Sequence, residues 1–202
     1  MMERQQFYGK IVFVAGGSSG LGEEISKVLV ARGAHITILA HRQGPLDEAR
    51  DKILAARRDT KQEVHAVSLD LGNQSELDAV FRSQAQLPDI LYCVAGGTST
   101  EIGFFTDINA GKLESCMQNN YFTAAYAAQS ILKIWTEGGQ RTEISSPKLR
   151  QIVFINSAAA FLSMPGYAAY TGNQASTFSM SFSDTTSELS SLPSTDIDTA
   201  GL

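Results

Sequence analysis

The sequence AGGSSGLG at residues 15–22 lies between a β-branched run and an amphipathic helical pattern. The run before it, IVFVAG from Ile11 to Gly16, predicts a buried strand, and LGEEISKVLVARG after it predicts a helix that ends at Gly33. Glycines at such a turn let the backbone bend tightly and let phosphate oxygens reach amide groups at the start of the helix. This stretch therefore predicts a site for the diphosphate of a dinucleotide.

A glycine-rich turn also occurs as a purely structural connection, but the strand before it and the helix after it favour the phosphate-binding interpretation. Backbone amides and two hydroxyl groups of the turn are the expected donors. The residues predicted to contact the cofactor here are Gly16, Ser18, Ser19, Gly20, Leu21 and Gly22.

Short β-branched runs alternate with helical patterns up to about residue 170, which is typical of a parallel sheet with helices on both faces. The predicted fold class is therefore α/β, a doubly wound sheet of Rossmann type. Helices are predicted at Pro45–Arg58, after a cap at Asn73 or Ser75, and at Gly111–Trp135. Four further strands are predicted at residues 34–40, 63–71, 89–97 and 151–157.

The second predicted strand ends in ILAHR, residues 38–42, without an acidic residue. An Asp or Glu at this place binds the ribose 2′-hydroxyl of NAD, so its absence favours NADP(H) as the cofactor. Arg42, helped by His41, is placed to meet the 2′-phosphate, although an arginine at a loop start is also an ordinary solvated residue. Asp70, followed by Leu71, ends the third strand and is a candidate to hydrogen-bond the adenine; capping the next helix is the alternative.

Composition excludes several other classes of partner. The formal net charge is −5 with no basic stripe, so we expect no binding to nucleic acid. Cys93 and Cys116 belong to no CxxC or Cys/His cluster, and we expect two buried, inert thiols in a reducing compartment. The three histidines are widely separated, so no metal site is predicted.

The first ten residues, MMERQQFYGK, are polar and charged, so no signal peptide is predicted. No run of about 20 apolar residues is present, so no transmembrane segment is predicted either. The other end of the chain is atypical. From Thr171 onward it is rich in Ser, Thr and Asp, which compete for backbone hydrogen bonds and weaken helices. We therefore divide the chain into a nucleotide-binding domain with the active site, residues 1–170, and an atypical, partly disordered segment, residues 171–202.

Ser157 ends the fifth predicted strand, and Tyr170 follows in PGYAAYT. Together with the glycine turn, VAG at Val94–Gly96 and Asn120 in the next helix, these residues make the chain resemble the short-chain dehydrogenase/reductases over about residues 8–171. Within that family, the strings GGSSGLGEEISKVLVARGAHITILAHR, QNNYFTAAY and VFINSAAAFLSMPGYAAYT are most similar to 3-ketodihydrosphingosine reductases. They are also similar to ketoacyl reductases.

The resemblance implies that NADPH reduces a lipid ketone, with 3-ketosphinganine as the substrate and sphinganine as the product, in sphingolipid biosynthesis. It implies Tyr170 as proton donor, Ser157 as the group that polarises the carbonyl oxygen and Asn120 as the holder of a water relay, with Ala95 and Gly96 beside the cofactor. Hydride delivery builds negative charge on the ketone oxygen, so nearby hydroxyl donors lower the barrier. A phenol suits this task because it is protonated at neutral pH.

The resemblance also implies a location on the cytosolic face of the endoplasmic reticulum, membrane contact, and a homo-oligomer, either dimer or tetramer. Family members associate through helices such as the one predicted at Gly111–Trp135. Its aromatic side chains form a stripe that is more typical of a core than of an interface, namely Tyr121, Phe122, Tyr126 and Trp135.

The pattern breaks at Gln174, where the family has a lysine four residues after the tyrosine. A unit charge about 4 Å from the phenolate, at an effective dielectric near 20, is worth about 4 kcal/mol, so its loss predicts a chemical step slowed roughly a thousandfold. Gln174 can still hydrogen-bond the nicotinamide ribose. Three interpretations remain: a reductase with a rearranged C-terminal part, a non-catalytic protein that binds NADP(H) or a partner, and an incomplete domain.

Overall fold

Five parallel strands form a sheet in the order β3-β2-β1-β4-β5 within the part of the chain that the structure describes. The structure is a computed structural model and describes residues 7–97, 102–137, 150–162 and 164–183. The strands are β1 Ile11–Ala15, β2 His35–Ala40, β3 Val64–Ser68, β4 Ile90–Cys93 and β5 Gln151–Phe154. All five of the strands predicted from the sequence are present, each shorter than its apolar run.

Helices follow the strands as expected for a doubly wound sheet. They are α1 Gly20–Val30, α2 Gln43–Ala55, α3 Gln74–Ser83, α4 Ala110–Met117, α5 Thr123–Thr136 and α6 Ala168–Ser183. A π-helical segment, Gln118–Phe122, joins α4 to α5, and two short 3-10 helices lie at Phe105–Asp107 and Ala158–Ala160.

Side chains of β1 alternate between two apolar cores, one on each face of the sheet. Val12 and Val14 pack in the core that also holds Leu29 of α1, whereas Phe13 and Ala15 pack in the core on the opposite face. A strand that is buried on both faces reads as a continuous apolar run, which is why the sequence predicted a parallel sheet. The α/β, Rossmann-type fold is confirmed.

Helix α2 begins two residues before the predicted start at Pro45, and Arg42 is its N-cap residue. Proline fits the third helical position because the first turn of a helix has no acceptors for its own amide groups. The acidic residues Asp47 and Glu48 consequently lie beyond the first turn. Arg42 is therefore the last residue of the short loop after β2, directly before the first residue of α2.

Three other predicted elements have different limits in the structure. Helix α1 ends at Val30 and not at the predicted Gly33, because residues 31–33 form a turn. The helix predicted at Gly111–Trp135 is three segments, because the π-helical turn interrupts the α-helical pattern. Helix α6 runs from Ala168 to Ser183 and so passes through the predicted division at residue 170 without a break. The segment predicted to be atypical and partly disordered is residues 171–202. Its first part, up to Ser183, belongs to α6, residues 184–202 lie outside the described residues, and the division itself stays a prediction.

Gln62 is a buried polar residue that ties three segments together. It is 5% exposed, and its Nε2 donates to the carbonyl oxygens of Val30 at 2.6 Å and Ala34 at 2.9 Å. Its Oε1 accepts from the backbone amides of Arg58 and Asp59, both at 2.9 Å. Both functional atoms of this amide therefore have partners, which offsets the cost of burying it.

We expect Gln62→Ala to lower the free energy of unfolding by about 3 kcal/mol, because it removes four hydrogen bonds between this buried side chain and the backbone. Urea denaturation followed by circular dichroism measures the loss. The control is Gln43→Ala, since Gln43 is exposed and its side chain bonds to the exposed side chain of Asp47, with an expected change within about 0.5 kcal/mol. A loss for Gln62→Ala no larger than that of the control would contradict the assigned role.

Candidate active site

A cavity of about 1090 Å³ lies at the carboxyl end of the sheet. Its wall runs from the turn after β1, past the residues that follow β2 and β3, to the ends of β4 and β5 and to α6. All of the predicted site residues but one line it, namely Gly16, Ser18, Ser19, Gly20, Leu21, Gly22, Arg42, Asp70, Leu71, Ala95, Gly96, Asn120, Tyr170 and Gln174. In a doubly wound sheet this is the place where ligands bind.

The glycine turn is closely packed against its surroundings. Gly16 has φ +93°, and a Cβ atom there would lie 2.5 Å from the backbone nitrogen of Ala95. A Cβ atom on Gly22 would lie 2.1 Å from the carbonyl oxygen of Gly16. Both positions therefore exclude any side chain, and the first turn of α1 sits directly against the turn that precedes it.

The first turns of α1 and α2 face the cavity without a capping side chain. The N-cap residues Ser19 and Arg42 line the cavity and make no side-chain capping hydrogen bond. In α3 and α4, by contrast, Asn73 and Asn109 accept hydrogen bonds from backbone amides of the first turn. Uncapped helix starts present N–H donors and the positive end of the helix dipole, so the cavity has two sites suited to anions.

Asp70 stabilises its own turn, and Asn73 caps α3, which decides between the two predicted caps. The Oδ1 of Asp70 accepts from the backbone amide of Gly72 at 2.8 Å, and the Asp70 amide donates to Glu76 at 3.1 Å. Gln118 closes this end of the cavity by donating to the carbonyl oxygen of Gly72 at 3.0 Å. Capping the next helix is therefore not the role of Asp70, and its contact with adenine stays a prediction.

Asn120 lies in the π-helical segment and is 5% exposed. Its Oδ1 accepts from the backbone amide of Gly97 at 2.8 Å, and its Nδ2 donates to the carbonyl oxygen of Cys116 at 2.9 Å. Such π-helical turns often mark functional positions. The side chain thus holds the loop after β4 against the helix, and the water relay that the resemblance implies stays a prediction.

Ser157 is the predicted residue that the structure does not bring to the cavity wall. Its Oγ accepts from the backbone amide of Ala159 at 3.2 Å and caps the short helix that follows. Asn156 lines the cavity instead, and its Nδ2 donates to the backbone oxygen of Gln174 at 2.9 Å. Adjacent residues of an extended chain point in opposite directions, so only one of the two can face the cavity.

Helix α6 presents one face to the cavity through Tyr170, Gln174 and Thr177. The spacing of four and three residues places the three side chains on the same side of the helix. Gln174 is 6% exposed, and among the described residues its side-chain amide has no hydrogen-bond partner. This amide is therefore available to a ligand. None of the described residues that line this end of the cavity is charged.

Cys93 also lines the cavity, and its burial raises the pKa of the thiol to about 12. The group is neutral at physiological pH, so it supplies no thiolate nucleophile. The sequence missed Cys93 and Asn156 as site residues, although both lie where strands end, which is the signal that could have identified them. The other cavity residues missed are Ala40, Gly72, Val94, Gly97, Gln118, Asn119, Thr123, Ala124, Ile155 and Thr177.

Both cysteines are buried, as predicted, and they form no disulfide bond with each other. The described residues contain no group of three or more His, Cys, Asp and Glu side chains that could hold a metal ion. Within the same part of the chain, no helix has the length and apolar character needed to cross a membrane.

Residues 10–187 match the family model described as short chain dehydrogenase. A 3-ketodihydrosphingosine reductase of Aspergillus fumigatus is 33% identical over 168 residues, which cover 80% of this chain and 45% of that protein. A PIGF/3-ketodihydrosphingosine reductase fusion protein of Schizosaccharomyces pombe is 32% identical over 161 residues, or 80% of this chain and 31% of the fusion protein. The chain spans less than half the length of these relatives.

Among solved structures, a short chain dehydrogenase from Mycobacterium smegmatis superposes with a TM-score of 0.75. The match covers 87% of this chain and 70% of that one at 18% sequence identity. At this identity the similarity shows the fold alone.

Proposed function

This chain belongs to the short-chain dehydrogenase family, and on that premise we propose that it is an NADPH-dependent reductase of a lipid ketone. The proposed reaction converts 3-ketosphinganine to sphinganine. The names of the relatives support this substrate, and the family supports a nicotinamide cofactor. The observation that carries the proposal is the single cavity shared by the glycine turn and the phenol of Tyr170.

The residues at one end of the cavity fit a dinucleotide. The diphosphate would lie at the uncapped start of α1, against the backbone amides of the Gly16–Gly22 turn. The 2′-phosphate would lie at the uncapped start of α2, beside Arg42 and His41. Because the end of β2 has no carboxylate to repel that phosphate, we propose NADP(H) rather than NAD(H).

The other end of the cavity fits the chemistry of ketone reduction. Bound NADPH would supply the hydride. Tyr170 would donate the phenolic proton to the ketone oxygen, and Asn120 holds the loop after β4 in place around this end. Gln174 would donate a hydrogen bond from its free amide to the nicotinamide ribose, without the positive charge that a lysine would bring. The role of Ser157 as a carbonyl donor stays a prediction.

The activity is tested by following NADPH oxidation at 340 nm with 3-ketosphinganine in detergent, and with a short 3-ketoacyl thioester for comparison. We expect slow oxidation with the sphingoid ketone and its loss in Tyr170→Phe, by at least about a hundredfold. Tyr167→Phe is the matched control, because Tyr167 lies on the loop before α6 and does not line the cavity. Equal rates in wild type and Tyr170→Phe would contradict the proposal.

We expect Arg42→Ala to weaken NADPH binding about tenfold to a hundredfold while NADH binding changes less than twofold. An arginine that pairs with a phosphate is worth about 1.5 to 3 kcal/mol, and NADH has no 2′-phosphate. Isothermal titration calorimetry measures both affinities. Arg50→Ala is the control, since Arg50 lies on α2 away from the cavity and pairs with Asp47 and Asp51. A parallel loss for both cofactors would argue against a 2′-phosphate site.

A second function, a non-catalytic NADP(H)-binding protein, is favoured by one observation, the neutral Gln174 at the end of the cavity. Tight NADPH binding with no turnover of either ketone would support it, and undetectable binding of both dinucleotides would exclude it. Membrane contact, a location on the cytosolic face of the endoplasmic reticulum and a homo-oligomer rest only on the family resemblance and stay predictions.

A further inference from the structure

A buried row of polar side chains joins α4 to α6 behind the cavity wall, and the proposed reaction does not account for it. Cys116, in the last turn of α4, is 0% exposed, and Asn173 on α6 is 1% exposed. Neither residue lines the cavity. Burying polar groups costs free energy unless they are hydrogen-bonded. The amide nitrogen of Asn173 has partners and its Oδ1 has none among the described residues, so the bonds of the nitrogen favour one arrangement of the two helices.

The hydrogen bonds form a continuous path from the loop after β4 to α6. Asn173 Nδ2 donates to Cys116 Sγ at 2.8 Å and to the carbonyl oxygen of Ala169 at 3.0 Å. Asn120 Nδ2 donates to the carbonyl oxygen of Cys116 at 2.9 Å and lies 3.7 Å from its Sγ. Asn120 Oδ1 in turn accepts from the backbone amide of Gly97. The thiol is thus the point where α6 is bonded to the helix that contains Asn120.

This contact lies next to the cavity residues of α6. Asn173 immediately precedes Gln174 and follows Tyr170 by three positions. Successive side chains of an α-helix are about 100° apart, so the bond made by Asn173, together with the bond from Asn156 to the Gln174 oxygen, sets the rotation of α6 about its axis. Thr177 Oγ1 donates to the backbone oxygen of Asn173 at 3.1 Å, one turn further along the cavity face. Asn173 lies on the buried side of α6, and the next residue, Gln174, lies on the side that lines the cavity.

We propose that Asn173 and Cys116 are positioning residues, which orient α6 so that Tyr170 and Gln174 face the nicotinamide end of the cavity. The inference rests on the proposed function, because it takes the cavity to be a dinucleotide site. Both residues act through their neighbours on α6 and do not touch the cofactor. Loss of the bond allows α6 to rotate, which affects the nicotinamide end and leaves the adenosine end, built by α1 and α2, unchanged.

The test compares the binding of NADPH with that of 2′,5′-ADP, which has the adenosine and phosphates but no nicotinamide. We expect Asn173→Ala to weaken NADPH binding about tenfold, the size of one buried hydrogen bond, and to leave 2′,5′-ADP binding within about twofold. We expect the fluorescence of NADPH bound to this variant to move toward that of free NADPH, because the dihydronicotinamide ring is less well held. Calorimetry and fluorescence titration measure the two effects.

Two substitutions at Cys116 test the same bond from the other helix. Cys116→Val replaces the thiol with a somewhat larger apolar side chain and removes the acceptor, so we expect the same selective loss of NADPH binding. Cys116→Ser restores an acceptor and is expected to bind NADPH within about threefold of wild type. Ser130→Ala is the control, because Ser130 on α5 is 0% exposed, does not line the cavity and has no partner for its Oγ among the described residues.

Equal weakening of both ligands in Asn173→Ala would assign the residue a general structural role and overturn the proposal, as would unchanged NADPH binding. If Asn173→Ala does not fold, the NADPH affinities of Cys116→Val and Cys116→Ser are compared. Equal NADPH affinities in these two variants would overturn the proposal. If the wild-type protein binds both 2′,5′-ADP and NADPH and every variant binds them equally well, the positioning role alone is refuted. Wild-type protein that binds neither ligand would refute the proposed function, and the positioning role with it.

Discussion

Gly22→Ala is expected to abolish detectable NADPH binding, with a loss of at least a hundredfold in affinity, or about 3 kcal/mol. The new Cβ atom would lie 2.1 Å from the carbonyl oxygen of Gly16 and 3.1 Å from the Cα atom of Gly17. Both are backbone atoms, so the overlap is relieved only if α1 moves away from the turn. That movement would separate the backbone amides at the beginning of the turn from those at the start of α1. We propose that both groups of amides bind the diphosphate.

The matched control for this prediction is Gly172→Ala. Gly172 lies on the exposed side of α6, and a Cβ atom there would meet nothing within 4 Å. We expect unchanged NADPH affinity and unchanged or slightly higher stability, because alanine favours a helix more than glycine does. Calorimetric titration, with circular dichroism to check folding, measures both variants. Full NADPH affinity in a folded Gly22→Ala variant would show that the diphosphate does not lie at this turn.

Gln174→Lys is expected to raise the rate of ketone reduction, by about a hundredfold to a thousandfold. A positive charge about 4 Å from the phenolate of Tyr170 would stabilise it by about 4 kcal/mol at an effective dielectric near 20, and partial burial of the new ammonium group subtracts from this gain. The described residues lining this end of the cavity contain no other charge to compete with the lysine. NADPH oxidation with 3-ketosphinganine under saturating cofactor measures the change.

The control substitution at the same position is Gln174→Met, which has a similar length and no charge or amide. We expect a rate at or below that of wild type, together with weaker NADPH binding because the hydrogen bond to the ribose is lost. A Gln174→Lys variant that folds, binds NADPH and remains as slow as Gln174→Met would show that the missing charge is not what limits turnover. The non-catalytic function would then be the better account of the cavity.

The sequence alone was sufficient for the elements whose signals are local. Strand β1 is buried on both faces and therefore has an uninterrupted apolar run, and the glycine turn is recognisable because backbone contacts at Gly16 and Gly22 exclude every side chain. The cap at Asn73 was predicted, with Ser75 as its alternative, because a capping residue acts on amides only three positions away. The family resemblance depended on these same short motifs.

Only the tertiary structure showed the contacts between residues that are far apart in the sequence. The bonds from Gly97 to Asn120 and from Asn173 to Cys116 span 23 and 57 residues, and no pattern within one helix predicts them. The choice between Asn156 and Ser157 at the cavity wall depends on where β5 ends, since one residue of extended chain reverses the direction of a side chain. The strand order likewise brings the Gly16 turn and Tyr170 to one cavity, because neighbours in a sheet are set by the packing of the whole domain.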